Sequence, residues 1–160
     1  MPVKPVPDGY HTVTPYLYVK GAANAIDFYK KAFGAEELMR FPGPDGRIGH
    51  AEIRIGDSPI MLADEHPEMN AIGPQTRGGT TVGFAIYVPD VDQRVARAVA
   101  EGAKIVRPIQ NQFYGDRSAT LSDPFGHTWT IATHVEDVPP AEMEQRMKSM
   151  KKGGETEACG

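Results

Sequence analysis

Apolar residues recur along this chain with two periods, one helical and one of strands. In "YVKGAANAIDFYKKAFGAEE" (18–37), Ala22, Ile26, Tyr29 and Phe33 fall three and four residues apart, and Gly34 stands where a left-handed cap ends a helix. In "YVPDVDQRVARAVAEGAKI" (87–105), Val91, Val95, Ala98 and Val99 form a second stripe. Asp90 and Gln93 make a capping-box-like start to it, and Gly102 ends it. Around these helices apolar and polar residues alternate, which predicts strands at 13–19 and 82–88 and a closing strand at 128–133.

The two stretches are copies of one pattern. Val19 to Val88 is an offset of 69 and Gly34 to Gly102 one of 68. Further on, "IGHAEIRIGDSPIML" (48–62) and "YGDRSATLSDPFGHTW" (114–129) share a Gly-led strand and an Asp-bearing turn, with Gly49 to Gly115 and Asp57 to Asp123 both 66 apart. Each half reads strand, helix, strand, strand, strand. "GPDG" (43–46) and "DPFG" (123–126) suit type I turns, and "IGDSP" (55–59) a short hairpin connection. The expected organisation is an arm at 1–11, a first module at 12–64, a Gly/Pro-rich linker at 65–80, a second module at 81–138, and a C-terminal helix and flexible tail at 139–160. In that helix Met143, Met147 and Met150 lie on one face, read as a packing face against the body of the protein or a second subunit.

Strand alternation separates two faces. Leu17, Val19, Ile53, Ile55, Phe84, Ile86, Val88, Ala119, Leu121, Trp129 and Ile131 share the parity expected to meet the helices. The other parity carries Thr14, Tyr16, Tyr18, His50, Glu52, Arg54, Tyr87, Asp116, Ser118, Thr120 and Thr130. Hydroxyls and aromatics with few charges suit the lining of a ligand cleft better than a solvated face, where Lys and Glu would dominate. Glu52 and Arg54 offer a polar anchor, Asp116 and Arg117 a second close acid and base. A carboxylate drawn into an aromatic cup is suited to general-base chemistry, which makes Glu52 the catalytic candidate.

Composition narrows the partner. At 160 residues the chain has room for one domain, or two half-size modules that share a core. A net charge of −4 with scattered Lys and Arg gives no footprint for nucleic acid or an anionic membrane, and no apolar run is long enough to span a bilayer. The start, Met-Pro-Val-Lys-Pro-Val-Pro, lacks a signal peptide's apolar centre, and the single cysteine, Cys159, has no mate and no fixed base beside it. A cytoplasmic protein with a small organic ligand is expected.

The stretches "TPYLYVKGAANAIDFYKKAFGAEELMR", "GPDGRIGHAEIRIGDSPIMLADE" and "NQFYGDRSATLSDPFGHTWTIATHVEDV" resemble the vicinal oxygen chelate superfamily of glyoxalase I, bleomycin-resistance proteins and extradiol dioxygenases, and its PhnB-like branch. The resemblance covers about 12–138. It implies an α+β fold of two βαβββ modules forming a cupped, barrel-like sheet, as a homodimer. In metal-dependent members four His/Glu positions hold a divalent ion. Carried over by motif they fall on Thr14, Glu52, Gly83 and Thr130, of which only Glu52 is a metal ligand by chemistry. No metal or other cofactor is therefore expected, unless His11, His50, His66, His127 and His134 rebuild a site elsewhere. A metal-independent small-molecule-binding protein, with a sequestration or resistance role, is the leading expectation. A metal-dependent lyase, isomerase or dioxygenase is the alternative, and a dimeric interaction module with a self-filled cup a third. No glycine-rich nucleotide or phosphate loop supports a methyltransferase or phosphonate role.

Overall fold

The structure is a computed structural model that describes residues 2–157; Cys159 lies outside the described residues. In the first module β1 (Tyr16–Val19), α1 (Ala22–Phe33), β2 (Glu36–Pro42), β3 (Ile48–Ile55) and β4 (Ser58–Asp64) form a sheet of order β1-β4-β3-β2. A 3-10 turn (Pro67–Met69) and the short α2 (Pro74–Arg77) cross to the second module. There β5 (Gly83–Tyr87), α3 (Val91–Ala100), β6 (Lys104–Asn111), β7 (Asp116–Ser122) and β8 (Thr128–His134) repeat the design as β5-β8-β7-β6. α4 (Pro140–Glu157) follows. In each sheet the first strand runs parallel to the last, and the remaining pairs are antiparallel.

The first strand is shorter than the alternation predicts, because it begins at Tyr16, after Pro15, which has no amide hydrogen to give a ladder. The repeat is also more regular than its turns suggest. Leu17 pairs with Leu62 as Ile86 pairs with Ile131, and Ala51 pairs with Leu62 as Ala119 pairs with Ile131. Those matches set the offsets at 68 and 69 throughout the strands. The offset of 66 joins positions that are not equivalent: Ala51 answers to Ala119, so Gly49 answers to Arg117, and Asp57 lies in a connection of different length, since Ile55 pairs with Ser58 whereas Ser122 pairs with Thr128.

Both helices start on a side chain borrowed from the last strand of their own module. The Asp64 carboxylate accepts from the backbone N–H of Gly21 and Ala22 at 2.8 and 2.9 Å, and from Ile48 at 2.7 Å. Its counterpart Thr133 accepts from the Val91 N–H at 2.9 Å and donates to the Val88 carbonyl at 2.8 Å. Asp90 adds the expected cap on α3, accepting from the Gln93 N–H at 3.0 Å. A carboxylate at the first turn of α1 answers both the orphan N–H groups and the positive end of the helix dipole. α1 ends at Gly34 in the left-handed conformation, as predicted.

The core lies on the predicted parity and runs through both modules. Leu17, Val19, Ile53, Ala119, Leu121, Trp129 and Ile131 are buried, with Phe84, Ile86, Val88 and Ile55 packed against them. Trp129 of β8 meets Tyr29 and Phe33 of α1 at ring-centroid distances of 5.4 and 4.8 Å, and Phe84 of β5 at 4.9 Å. The helix of one module thus packs on the strands of the other, and the two modules share one apolar interior.

The turn at Asp123–Gly126 closes this core. The Asp123 carboxylate accepts from the Tyr29 hydroxyl, the Trp129 indole N–H and the backbone N–H of Phe125 and His127. His127 is buried, and its Nε2 lies 3.2 Å from the Tyr18 carbonyl, a second tie between modules. α4 is held by Arg146, which donates to Glu136, Glu142 and the Phe113 carbonyl. Met143 is half-buried while Met147 and Met150 stay exposed, so within one chain the predicted methionine face is covered only in part.

Candidate functional site

The side chains expected to line a cleft lie on the faces of the sheets away from the helices, and they fall into two groups, one on each sheet. On the first sheet Met39, Glu52, Met61 and Tyr16 form one row, each directly opposite the next on β2, β3, β4 and β1. His50 stands beside Glu52 at i, i+2. Its Nδ1 is 2.8 Å from the Tyr16 hydroxyl and its Nε2 is 3.0 Å from Glu52 Oε1. An ionised carboxylate only accepts, so Nε2 carries the proton and Nδ1 accepts from Tyr16. Burial, and then the neighbouring Tyr18, raise the Tyr16 phenol above its ordinary value, which keeps it a donor to His50.

Glu52 is 6% exposed. Its Oε2 is the buried side-chain polar atom left without a hydrogen bond among the described residues. Around this sunken carboxylate Tyr16, Met39 and Phe41 are 39, 40 and 61% exposed, an apolar surface larger than a solvated sheet face needs. Met39 and Phe41 had no place in the sequence reading, although alternation along β2 puts them on this face.

Glu52 and Arg54 do not pair with each other. Arg54 reaches across to β2 and donates to Glu36 at 2.6 Å, because Glu36 is its direct partner in the ladder. Asp116 and Arg117 do not pair either, since neighbours on a strand point to opposite faces. Arg117 makes a forked ion pair with Asp92, both bonds 2.8 Å. Asp116 is buried and accepts from the Tyr87 hydroxyl at 2.8 Å, with His134 Nδ1 at 2.7 Å. Burial alone would raise the Asp116 carboxyl, but the bonds from His134 and Tyr87 outweigh it and hold it below its ordinary value. Asp116, and then Asp137 at 2.7 Å from Nε2, raise His134.

On the second sheet Ser118, Thr120 and Thr130 line a cavity of about 410 Å³ with Arg107, Gln110 and Gln112. Two larger cavities lie in the seam between the modules. One, of about 760 Å³, runs from Tyr16 and Tyr18 past the linker to Phe84 and His127. The other, of about 740 Å³, separates the β3–β4 hairpin from β5 and includes Tyr87. His50, Glu52, Arg54 and Asp116 line none of these three, so the polar chemistry sits on open sheet faces and the enclosed volume in the seam.

The residues do not fit the four-ligand metal arrangement. Tyr16 pairs with Met61 as Ala85 pairs with Thr130, so the counterpart of Thr130 in the first module is Met61, one strand over from Glu52. The four equivalent positions are thus Thr14, Met61, Gly83 and Thr130: two hydroxyls, a thioether and no side chain, a donor set that binds borderline divalent ions poorly. Nor do the histidines converge. His66 Nδ1 lies 2.9 Å from the Asp64 carbonyl, His11 is 3.9 Å from exposed Asp57, and the others are engaged as described. Among the described residues no three His, Cys, Asp or Glu side chains form a metal-sized group.

Two mixed sheets built from a repeated βαβββ unit define the fold, and comparison with known proteins gives the same answer. The chain belongs to the Glyoxalase/Bleomycin resistance protein/Dioxygenase superfamily, whose sequence profile matches residues 10–131. Protein Mb0911c of Mycobacterium bovis is 42% identical over 144 residues, covering 88% of this chain and 95% of the relative. Among solved structures, TioX from Micromonospora sp. ML1 superposes with a TM-score of 0.60 at 27% identity, over 81% of this chain and all of that one. The PhnB protein from Bacillus cereus shares the fold, with a TM-score of 0.62 at 16% identity over 77% of this chain and 99% of its own.

Proposed function

We propose that this chain is a metal-independent small-molecule-binding protein that holds an organic ligand against the concave face of its first sheet, in a sequestration or resistance role. The observation that carries the reading is the row Met39, Glu52, Met61 and Tyr16: a sunken carboxylate flanked by thioethers and a phenol, with apolar surface exposed around it. Apolar walls with a single convergent polar group are what a ligand site needs. Glu52 acts here as an anchor. Oε1 is engaged by His50, and Oε2, with no hydrogen-bond partner among the described residues, is left for a donor that a ligand brings. Tyr18, two residues from Tyr16 on β1, supplies further wall.

The reading includes a cytoplasmic homodimer. Each concave face is open in one chain, and a second copy laid over it closes the cup. Untagged protein purified without chelator, examined by elemental analysis and native mass spectrometry, tests the proposal. The expected result is a bound organic molecule and metal far below one ion per chain. Stoichiometric zinc, nickel, iron or manganese overturns it.

A further inference from the structure

We propose that the face around Glu52 selects organic cations: ligands that carry a protonated amine on an apolar body. This deepens the small-molecule reading above and rests on it. The argument starts from unspent electrostatics. Glu52 is 6% exposed, one of its oxygens has only His50 and the other has nothing. A buried carboxylate short of donors is costly, and removing that cost is available to whatever ligand brings a donor. The guanidinium groups nearest along the strands are already committed, Arg54 to Glu36 at 2.6 Å and Arg40 to Glu37 at 2.7 and 3.0 Å.

The surroundings favour the same sign of charge. Tyr16 and Tyr18 have ring centroids 5.1 Å apart, and Phe41 stacks over His50 at 6.5 Å. Aromatic faces are electron-rich and attract ammonium groups, and the sulfurs of Met39 and Met61 add polarisable surface on both sides of the carboxylate. A neutral ligand gains only burial here, and an anion meets repulsion from Glu52. Met39, unbranched and 40% exposed, lies directly opposite Glu52 on β2, so its flexible stem can adapt to a ligand bound there.

Three probes of nearly the same shape separate the charges: phenethylamine, phenethyl alcohol and hydrocinnamate. Each is titrated at neutral pH into the full chain carrying 13C-methyl methionine, with the Met39 and Met61 signals as the readout. The expected result is affinity for the ammonium about tenfold or more above the alcohol, as a desolvated cation–π contact and a charge-assisted hydrogen bond allow, and weaker binding still of the carboxylate. In Glu52→Gln the preference for the ammonium over the alcohol falls to within about twofold, since the charge that a charge-assisted bond requires is gone. The charge series on the unaltered protein stands even if that variant folds poorly. Equal binding of alcohol and ammonium, or a preference for the carboxylate, overturns the inference and leaves the small-molecule reading in place. No methionine shift with any of the three contradicts both.

Discussion

The Tyr29 hydroxyl, on the helix of the first module, donates a 2.6 Å hydrogen bond to the Asp123 carboxylate, in the last turn of the second. The two residues are 94 positions apart, and the bond sits inside the shared core beside Trp129. It joins modules whose two sheets share no ladder, alongside the contact of His127 with the Tyr18 carbonyl.

Removing the phenol oxygen leaves Asp123 one donor short in a buried place. Tyr29→Phe is expected to lower stability by about 1–3 kcal/mol in chemical denaturation. Burial first, and then the Asp123 charge, hold the Tyr29 phenol well above its ordinary value of 10.0. Its contribution is therefore complete below that ordinary value and is lost as pH rises through the higher folded one. An unchanged denaturation midpoint in Tyr29→Phe would show that the bond carries no load between modules.

Asp64 and Asp90 both cap helices, but with different reach. Asp64 satisfies three backbone N–H groups and is buried, whereas exposed Asp90 satisfies one. Asp64→Ala is expected to cost on the order of 3 kcal/mol and Asp90→Ala about 1 kcal/mol. Equal losses in urea denaturation would contradict the three-bond account.

His134 sits between two carboxylates, so its titration reports on them. Its folded value lies above the ordinary 6.5, held up by Asp116 first and Asp137 second. The attraction is fully present below the ordinary value and disappears as pH rises through the folded one. Asp116 works in the opposite direction: held below its ordinary 3.8, it contributes above that value and loses its contribution as pH falls through the lower one. NMR titration of the His134 ring is expected to show a raised midpoint that returns toward the ordinary value in Asp116→Asn. A midpoint that Asp116→Asn leaves in place contradicts the pairing.

Dialysis against a strong chelator is expected to leave the melting temperature and the binding of organic probes unchanged. Thr14, Met61, Gly83 and Thr130 offer no charged or imidazole donor for a chelator to compete with. A drop in either quantity, restored by one divalent metal, contradicts the metal-independent account.

Local rules in the sequence carried much of the fold. The α1 stripe from Ala22 to Phe33, its Gly34 cap, the Asp90 cap and the inward parity of Trp129 and Ile131 all follow from neighbours a few residues apart. What escaped depends on register between distant strands. Arg54 turned to Glu36 because β2 lies beside β3, and Met61 became the counterpart of Thr130 because of parallel pairing with β1 and β5. The Tyr16–His50 bond likewise joins two strands that no local pattern brings together. Asp64 left a faint trace: an acid ending an apolar strand, in "PIMLADE", is a candidate cap for a helix elsewhere.

The central claim is that the ligand lies on the open face of the first sheet. Chemical-shift mapping with phenethylamine tests it most directly. The account predicts the largest shifts at Tyr16, Met39, Phe41 and Met61. Shifts confined to the seam between Ile55–Ile60 and Gly83–Val88, with the neighbourhood of Glu52 unmoved, would contradict it.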